Sequence, residues 1–279
     1  MTDPTGALLS SISVTDAAAV MEIVSGSNPD AIFYLPAVHA ASEERLSGSP
    51  ASEFERSLQV HVVGAVNFMN AIHSLGVRSA FFYAASSLVF GRSTAVTQNE
   101  ETPFRPDSIY GITKAAGVRA CSYFRALGVR SSAGILYNHE SPYRPPRFLS
   151  RRIVSEAVAI SRGRQDELVL GDMSARIDWG YAPDFVDAIV RIVELPDADD
   201  FVIATGESHS VLEFVETAFA CLNLEWQHHV RQDHSLLVRP HHTLVGDNSR
   251  LRERTGWHPS VTFHEMVRLL VDSEKNRNG

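Results

Sequence analysis

Cysteine is scarce in this chain of 279 residues, and long apolar runs are missing. The two cysteines, Cys121 and Cys221, lie far apart and form no CxxC pair, which excludes a disulfide framework and a thiolate zinc site. No window approaches the roughly 18 unbroken apolar residues that a membrane-spanning helix requires, and the first residues have no basic segment before an apolar one. We therefore expect a protein of the reducing cytoplasm without a membrane partner.

Positive charge is also in short supply. The chain carries 25 Lys and Arg against 33 Asp and Glu, a net charge of -8, and its basic residues form no run. Domains that bind nucleic acid concentrate basic residues on one face, so we expect no nucleic-acid partner. Hydrophobic residues make up 44% and charged residues 21% of the chain, which is ordinary for a folded globular protein. A small molecule is the expected ligand.

Apolar runs alternate with longer segments of helical period, which predicts an α/β protein with a parallel sheet covered by helices. We expect strands over residues 8–14, 31–35, 79–84, 129–137 and 168–170. Helices are expected over residues 16–24, 53–75, 108–127, 149–162 and 211–222. The composition shifts after Gly163, so residues 1–163 are predicted to form the main body. Residues 164–279 are predicted to form mainly a small substrate-binding lobe, with some segments returning to the body.

The most informative local pattern is Tyr110-x-x-x-Lys114, because residues four apart share one helix face. An ammonium beside a phenol favours the phenolate, so Lys114 should lower the pKa of Tyr110 from its usual value of about 10. A lone pattern of this kind is more often a surface pair. Here, however, Ser86 and Ser87 follow the predicted strand 79–84, at the sheet edge where ligands bind in open α/β proteins. Ser86 and Tyr110 are therefore candidates to share one substrate oxygen.

Histidines are crowded near the end of the chain, and they raise the alternative of a metal site. Neighbouring residues of an extended chain point to opposite faces, and no HExxH spacing accompanies the cluster. We therefore expect loop histidines and no metal ligands. The residues concerned are His228, His229, His234, His241 and His242.

The pattern of Ser86, Tyr110 and Lys114, together with several longer stretches, resembles the extended short-chain dehydrogenase/reductases that act on nucleotide sugars. The similarity is greatest to the GDP-mannose 4,6-dehydratase branch. Besides Ser86, Tyr110 and Lys114, the matching stretches are residues 134–142, 178–182, 200–206 and 256–259, within a resemblance spanning about 13–271. The resemblance implies a Rossmann-like sheet, NADP or NAD as cofactor and a nucleotide sugar, a GDP-hexose, as substrate. It also implies a homodimer or tetramer, with a full-length homologue as an alternative partner.

The resemblance assigns roles residue by residue. Ser86 and Tyr110 handle the sugar 4-hydroxyl, and Lys114 also holds the nicotinamide ribose. Arg144 matches an arginine that reaches the cofactor of a neighbouring subunit. The implied cofactor-binding residues are Tyr110, Lys114, His139 and Arg144, and the implied substrate-binding residues are Ser87, Asn138, Arg152, Arg176 and Arg239.

The chain departs from the family's pattern at its front. It contains no GxxGxxG turn, the element that binds a dinucleotide pyrophosphate at a helix N-terminus. Met1 falls near the family's third strand, so we expect an N-terminally truncated sheet that lacks roughly two βα units of about 30 residues each. Ser13 also replaces an aspartate that reads the adenine.

Other departures concern the substrate. Leu88 replaces the glutamate that moves the C5 proton and the C6 hydroxyl during dehydration. Ile177 replaces an arginine, although Arg176 is one position away and would point to the opposite face of a strand. Two histidines, His61 and His242, replace an asparagine or aspartate and a glutamate.

Three hypotheses remain open from the sequence. The first is a dehydratase, epimerase or reductase that uses Ser86, Tyr110 and Lys114 with NAD(P), for which Leu88 makes oxidoreduction or epimerisation easier than full dehydration. The second is a catalytically degenerate or partner-dependent protein that binds a sugar nucleotide, motivated by the missing glycine-rich turn. The third is a gene start that was assigned too late.

Overall fold

The computed structural model of the chain describes residues 11–38, 49–236 and 243–277. Its strands are β1 (Ala31–Tyr34), β2 (Ala80–Ala84), β3 (Ser131–Leu136), β4 (Asn138–Glu140), β5 (Leu168–Leu170), β6 (Arg176–Ile177), β7 (Trp179–Tyr181), β8 (Asp200–Ile203), β9 (His209–Ser210) and β10 (Val230–Gln232). Its α-helices are α1 (Ala17–Ser27), α2 (Pro50–Leu58), α3 (Gly64–Leu75), α4 (Ile109–Ala126), α5 (Leu149–Ser161), α6 (Ala182–Glu194), α7 (Val211–Ala220), α8 (Ser249–Thr255) and α9 (Phe263–Arg277).

The main sheet has four parallel strands in the order β1-β2-β3-β8. Its register pairs Ala31 with Ala80, and Ala133 with Asp200. Smaller two-stranded ladders join β4 to β7 and β5 to β10 in parallel, and β6 to β9 in antiparallel. Parallel neighbours need crossover connections, which helices supply here. The predicted α/β class with a Rossmann-like parallel sheet is confirmed.

Aromatic side chains fill both faces of this sheet. Tyr34, Phe81 and Tyr83 project to one face, where their cluster includes buried residues of α3 and α4. Phe82 projects to the other face and packs with Phe185 of α6. This alternation follows from the two-residue period of a strand. A separate apolar cluster is built mainly from α5, α7 and α9.

Local capping explains where several helices begin. The Asp16 carboxylate accepts hydrogen bonds from the backbone N–H groups of Ala18 and Ala19, at the start of α1. In the same way the Ser108 hydroxyl accepts from Gly111 N at the start of α4. Both helices were predicted at these caps, and both are confirmed.

Other predictions need correction. The predicted helix 53–75 begins earlier, at Pro50, and a π-helical turn (Gln59–Val63) divides it into α2 and α3. Residues 11–14 of the predicted strand 8–14 form no strand, and residues 8–10 lie outside the described ranges. The sequence analysis did not predict β8, whose residues it named only as part of the family resemblance over 200–206.

Segments beyond Gly163 contribute to the main sheet as well as to the separate cluster. β8 pairs with β3, and α6 packs on the same sheet. The division of the chain into a body over residues 1–163 and mainly a lobe over 164–279, with some segments returning to the body, stays a prediction. Among the helices in the described ranges, none is both long and apolar enough to cross a membrane.

Candidate functional site

The structure brings Ser86, Tyr110 and Lys114 together at the carboxyl end of β2. Ser86 caps a short 3-10 turn (Ser87–Val89), and Tyr110 lies in the first turn of α4. A side-chain hydrogen bond joins the Ser86 and Tyr110 hydroxyls. A Cβ at Gly111 would come within 2.4 Å of the Leu88 backbone oxygen, so glycine permits the close approach of α4 to this turn.

Lys114 lies near the Tyr110 ring and is only 1% exposed. Its ammonium donates a hydrogen bond of 2.7 Å to the Ala84 carbonyl oxygen. Nζ is 5.7 Å from the ring centroid of Tyr110 and 5.0 Å from that of Tyr83. Burial lowers the pKa of Lys114 to about 7, because the charged form loses its hydration.

Tyr110 has a raised pKa, which corrects the expectation drawn from its spacing to Lys114. Burial raises the pKa of Tyr110 to about 12, and the hydrogen bond from Ser86 and the charge of Arg144 oppose that shift. Burial therefore outweighs the favourable neighbours. The cation that favours the phenolate is Arg144, which the sequence did not connect with Tyr110.

Arg144 is held within its own chain. Its Nε lies 3.1 Å from the Glu140 carboxylate, and its Nη1 donates to the His139 carbonyl oxygen over 3.1 Å. The guanidinium also lies over the Phe148 ring, 4.2 Å from its centroid. Glu140 accepts a further hydrogen bond from Ser150. Burial raises the pKa of Glu140, and Arg144 opposes the shift.

His139 is oriented by its neighbours on β4. Its Nδ1 lies 2.9 Å from the Tyr137 carbonyl oxygen, and its ring stacks on Phe185 with centroids 5.0 Å apart. A carbonyl can only accept, so Nδ1 carries the proton. Burial lowers the pKa of His139, which favours the neutral ring. Asn138 precedes it on β4.

Two arginines proposed for substrate are engaged elsewhere. Arg152 donates to the Val169 carbonyl and lies 3.3 Å from the Glu156 carboxylate. Arg176 is exposed, and its Nε donates to the Ser208 hydroxyl over 3.2 Å. Their substrate roles stay predictions.

The remaining candidates are placed as follows. Ser87 opens the 3-10 turn and is buried, whereas Leu88 beside it is 37% exposed. Ile177 is buried, so Arg176 does point to the opposite face of β6. Arg239, His241 and His242 lie outside the described residues. Within the described ranges, no group of three or more His, Cys, Asp and Glu side chains could hold a metal ion.

Sequence reasoning missed one residue that touches the central cluster. His61 is fully buried in the π-helical turn, and its ring meets the Tyr110 ring edge-on with centroids 5.2 Å apart. The sequence marked His61 only as a replacement. Since about fifty positions separate the two residues, no local spacing could have revealed the contact.

Comparison with known proteins identifies similar chains. A family model described as GDP-mannose 4,6 dehydratase matches residues 5–270. GDP-mannose 4,6 dehydratase 1 of Arabidopsis thaliana is 35% identical over 269 residues, which cover 94% of this chain and 72% of that one. The GDP-mannose 4,6 dehydratase of Homo sapiens is 32% identical over 283 residues, covering 94% and 74%.

Solved structures share the fold at lower sequence identity. RMD from Pseudomonas aeruginosa, complexed with NADPH, superposes with a TM-score of 0.85 at 22% identity, covering 97% of this chain and 90% of that one. UDP-glucose 4-epimerase of Thermotoga maritima, with UDP-glucose, has a TM-score of 0.81 at 21% identity, covering 99% and 86%. The two GDP-mannose 4,6 dehydratases above carry the names of enzymes, so they lend no support to the alternative of a non-catalytic binding protein.

Proposed function

We propose that this chain, which belongs to the GDP-mannose 4,6-dehydratase family, is an enzyme that modifies the hexose of a GDP-sugar. The observation that carries the proposal is the hydrogen-bonded pair of Ser86 and Tyr110, with Lys114 close to the Tyr110 ring, at the carboxyl end of β2. Ligands of open parallel sheets bind at this edge. Two hydroxyls and an amine can orient a sugar hydroxyl there.

The same cluster fits the nicotinamide end of NAD or NADP. Among the described residues, Ala84 O is the one hydrogen-bond acceptor of the Lys114 ammonium, so two of its three N–H donors remain for the hydroxyls of a ribose. Tyr110 is partly exposed beside it. When bound, the nicotinamide would supply the hydride acceptor or donor. No residue is assigned to the pyrophosphate, because the sequence contains no GxxGxxG turn.

Tyr110 is the residue that gains or loses a proton at the sugar 4-oxygen. With a pKa of about 12, the phenol is protonated near neutral pH and is ready to donate that proton to a carbonyl oxygen as it becomes a hydroxyl. In the oxidative direction Tyr110 must first be ionised, so alkaline pH favours it. Ser86, bonded to the phenol, holds the same oxygen in line.

Leu88 limits the reaction that this cluster completes. It lies beside Ser87 and is 37% exposed, and by the family resemblance it replaces the acid–base glutamate. A hydrocarbon side chain cannot move the C5 proton or protonate a leaving C6 hydroxyl. We therefore propose oxidation, reduction or epimerisation at the sugar 4-position, without loss of water.

The test is incubation of the chain with GDP-mannose and with NAD or NADP. Mass spectrometry and nicotinamide absorbance detect oxidation or loss of water, and NMR of the sugar detects epimerisation, which changes neither the mass nor the net nicotinamide absorbance. We expect an oxidised or epimerised sugar with no loss of water, and no product from Tyr110→Phe, which keeps the ring but lacks the hydroxyl. Leu88→Glu should add a product that has lost one water. Absence of both turnover and nucleotide binding in the wild-type chain would overturn the proposal.

Finer properties belong to the same proposal. We expect NADP as the preferred cofactor, a homodimer or a higher oligomer, and a cytoplasmic location. Supporting the last, Cys121 and Cys221 are both free thiols, as is usual in a reducing compartment. Sedimentation analysis of the purified chain, and competition between NAD and NADP, test the other two.

A further inference from the structure

His61 owes its inward position to a distortion of its helix. The π-helical turn Gln59–Val63 separates α2 from α3, and His61 lies at its centre with no exposed surface. Single π-helical turns within α-helices often occur at functional sites. The turn places a polar imidazole inside the core against α4, where an apolar residue would be the ordinary occupant.

The hydrogen bonds of His61 specify its protonation state. Nε2 lies 2.8 Å from the backbone N of Val38, and Nδ1 lies 2.7 Å from the Thr113 hydroxyl. A backbone N–H can only donate, so Nε2 must be an acceptor, and the ring is neutral with its proton on Nδ1. The Thr113 hydroxyl then accepts from Nδ1 and donates to the Ile109 carbonyl oxygen, 2.9 Å away.

These bonds connect two elements at the same edge of the sheet. Val38 lies in the segment that follows β1, and Thr113 lies on α4 between Tyr110 and Lys114. His61 also contacts the Tyr110 ring edge-on, at an interplanar angle of 85°. One rigid ring therefore holds the segment after β1, the catalytic helix and the phenol in a single arrangement.

We propose that His61 is a positioning residue for Tyr110. Its imidazole, locked by Val38 and Thr113, fixes the plane of the phenol against the Ser86 hydroxyl and couples it to the segment after β1. The catalytic part of this inference rests on the proposed function. The coupling itself does not, because it is a property of the folded chain.

The first experiment measures coupling without turnover. Thr113→Val removes the acceptor of the Nδ1 proton, and Thr113→Ser retains it as a matched control. Amide hydrogen exchange at Val38 should accelerate about fivefold or more in Thr113→Val, the effect of losing one buried hydrogen bond, and should stay within twofold in Thr113→Ser. Unchanged exchange at Val38 in Thr113→Val would overturn the coupling.

The second experiment follows Tyr110 directly by NMR of tyrosine labelled at Cζ, with Tyr110→Phe to assign its signal. The Tyr110 signal should shift in Thr113→Val and in His61→Phe, and remain in place in Thr113→Ser. Equal signals in all the variants would overturn the positioning role. If His61→Phe fails to fold, the Thr113 pair still decides the question.

The third experiment is kinetic and uses GDP-mannose with NAD(P). His61→Phe keeps an aromatic ring but loses both hydrogen bonds, so kcat should fall about tenfold through misplacement of the phenol. KM for the sugar nucleotide should change less than twofold. A fall seen only in KM would overturn the assignment to Tyr110. A wild-type chain without turnover would contradict the proposed function, and the first two experiments would then decide on His61.

Discussion

Asp178 and Lys114 are equally buried, each 1% exposed, yet their surroundings differ. The Asp178 carboxylate accepts four hydrogen bonds, from Thr205 N at 2.9 Å, the Thr205 hydroxyl at 2.6 Å, Gly206 N at 3.1 Å and Gly246 N at 3.2 Å. Burial raises the pKa of Asp178, and all these bonds oppose the shift. The carboxylate thereby joins three separate segments of the chain.

Lys114 is surrounded by far fewer partners. Among the described residues, its ammonium has the Ala84 carbonyl as hydrogen-bond acceptor and two aromatic rings nearby. Burial alone lowers its pKa. A buried charge with a full set of partners serves the fold, whereas one with donors to spare destabilises the fold and is available to a ligand. This difference supports a structural role for Asp178 and the functional role proposed above for Lys114.

Removal of Asp178 should give the largest loss of stability. Asp178→Ala removes the acceptor of three backbone N–H groups and of the Thr205 hydroxyl, and the N–H of Gly246 among them is buried, so we expect the free energy of unfolding to fall by about 4 kcal/mol. Urea unfolding measures the change. The matched control is Asp187→Ala, an exposed residue paired with Arg191, which should cost under about 0.5 kcal/mol. Similar losses for the two variants would contradict the structural role of Asp178.

Removal of the Lys114 charge should act in the opposite direction. At pH 7 we expect Lys114→Met to raise the free energy of unfolding by on the order of 3 kcal/mol while abolishing activity, a trade often seen at active sites. The measurement is again urea unfolding, repeated across pH. A clear loss of stability in Lys114→Met would show that the amine serves the fold after all.

The free energy of unfolding of the wild-type chain should depend on pH, relative to that of Lys114→Met, with a definite sign. The folded-state pKa of Lys114 is about 7 and its ordinary value is 10.5. Between these values the unfolded chain binds a proton that the folded chain lacks, so the contribution of Lys114 makes stability rise with pH. Below pH 7 Lys114 is charged in both the folded and the unfolded chain, so its full unfavourable contribution to stability remains. Lys114→Met should lack this rise.

Tyr110 supplies a prediction on rate. Because its pKa is about 12, the ionised fraction increases tenfold per pH unit below that value. Oxidation of the sugar hydroxyl should therefore accelerate by up to about tenfold per unit between pH 8 and pH 10. Initial rates under saturating substrate test this, with circular dichroism to confirm folding at each pH. A rate that levels off near pH 7 would contradict the raised pKa.

The smallest expected effects come from two stacked tyrosines. They allow the same comparison, between a buried polar group with a hydrogen-bond partner and one without, for uncharged side chains. Tyr34 and Tyr83 lie with ring centroids 6.1 Å apart. The Tyr34 hydroxyl donates to the Val60 carbonyl, whereas the buried Tyr83 hydroxyl has no hydrogen-bond partner in the part of the chain that the structure describes. Tyr34→Phe should cost about 1 kcal/mol, and Tyr83→Phe should be neutral or stabilise by a few tenths. Thermal unfolding of the two variants distinguishes them, and equal losses would contradict the unpaired state of Tyr83.

Several features of the site were predictable because their causes are local. Tyr110 and Lys114 share a helix face through their spacing, and Ser108 caps that helix at the predicted place. Ser86 was expected at the sheet edge because a buried strand ends just before it. Each of these depends on residues within one or two turns of each other, which is the range over which sequence patterns act.

Other features could not be predicted, since they depend on distant segments. The charge of Arg144 opposes the rise that burial causes in the pKa of Tyr110, although the two residues lie on different segments of the chain. His61 lies in a π-helical turn that no residue spacing predicted, and its ring contacts that of Tyr110. The direction of the pKa shift at Tyr110 was also expected wrongly, because the depth of burial is a property of the packed core.

By itself, the sequence determined the alternation of strands and helices, the helix caps, and the residue types offered at the sheet edge. Only the tertiary structure decided which of those groups carry charge, which neighbours they have and which bonds are left over for a ligand. The physical reason is that hydrogen-bond patterns and side-chain periods are short-ranged, whereas desolvation and charge interactions depend on every segment that packs around a group.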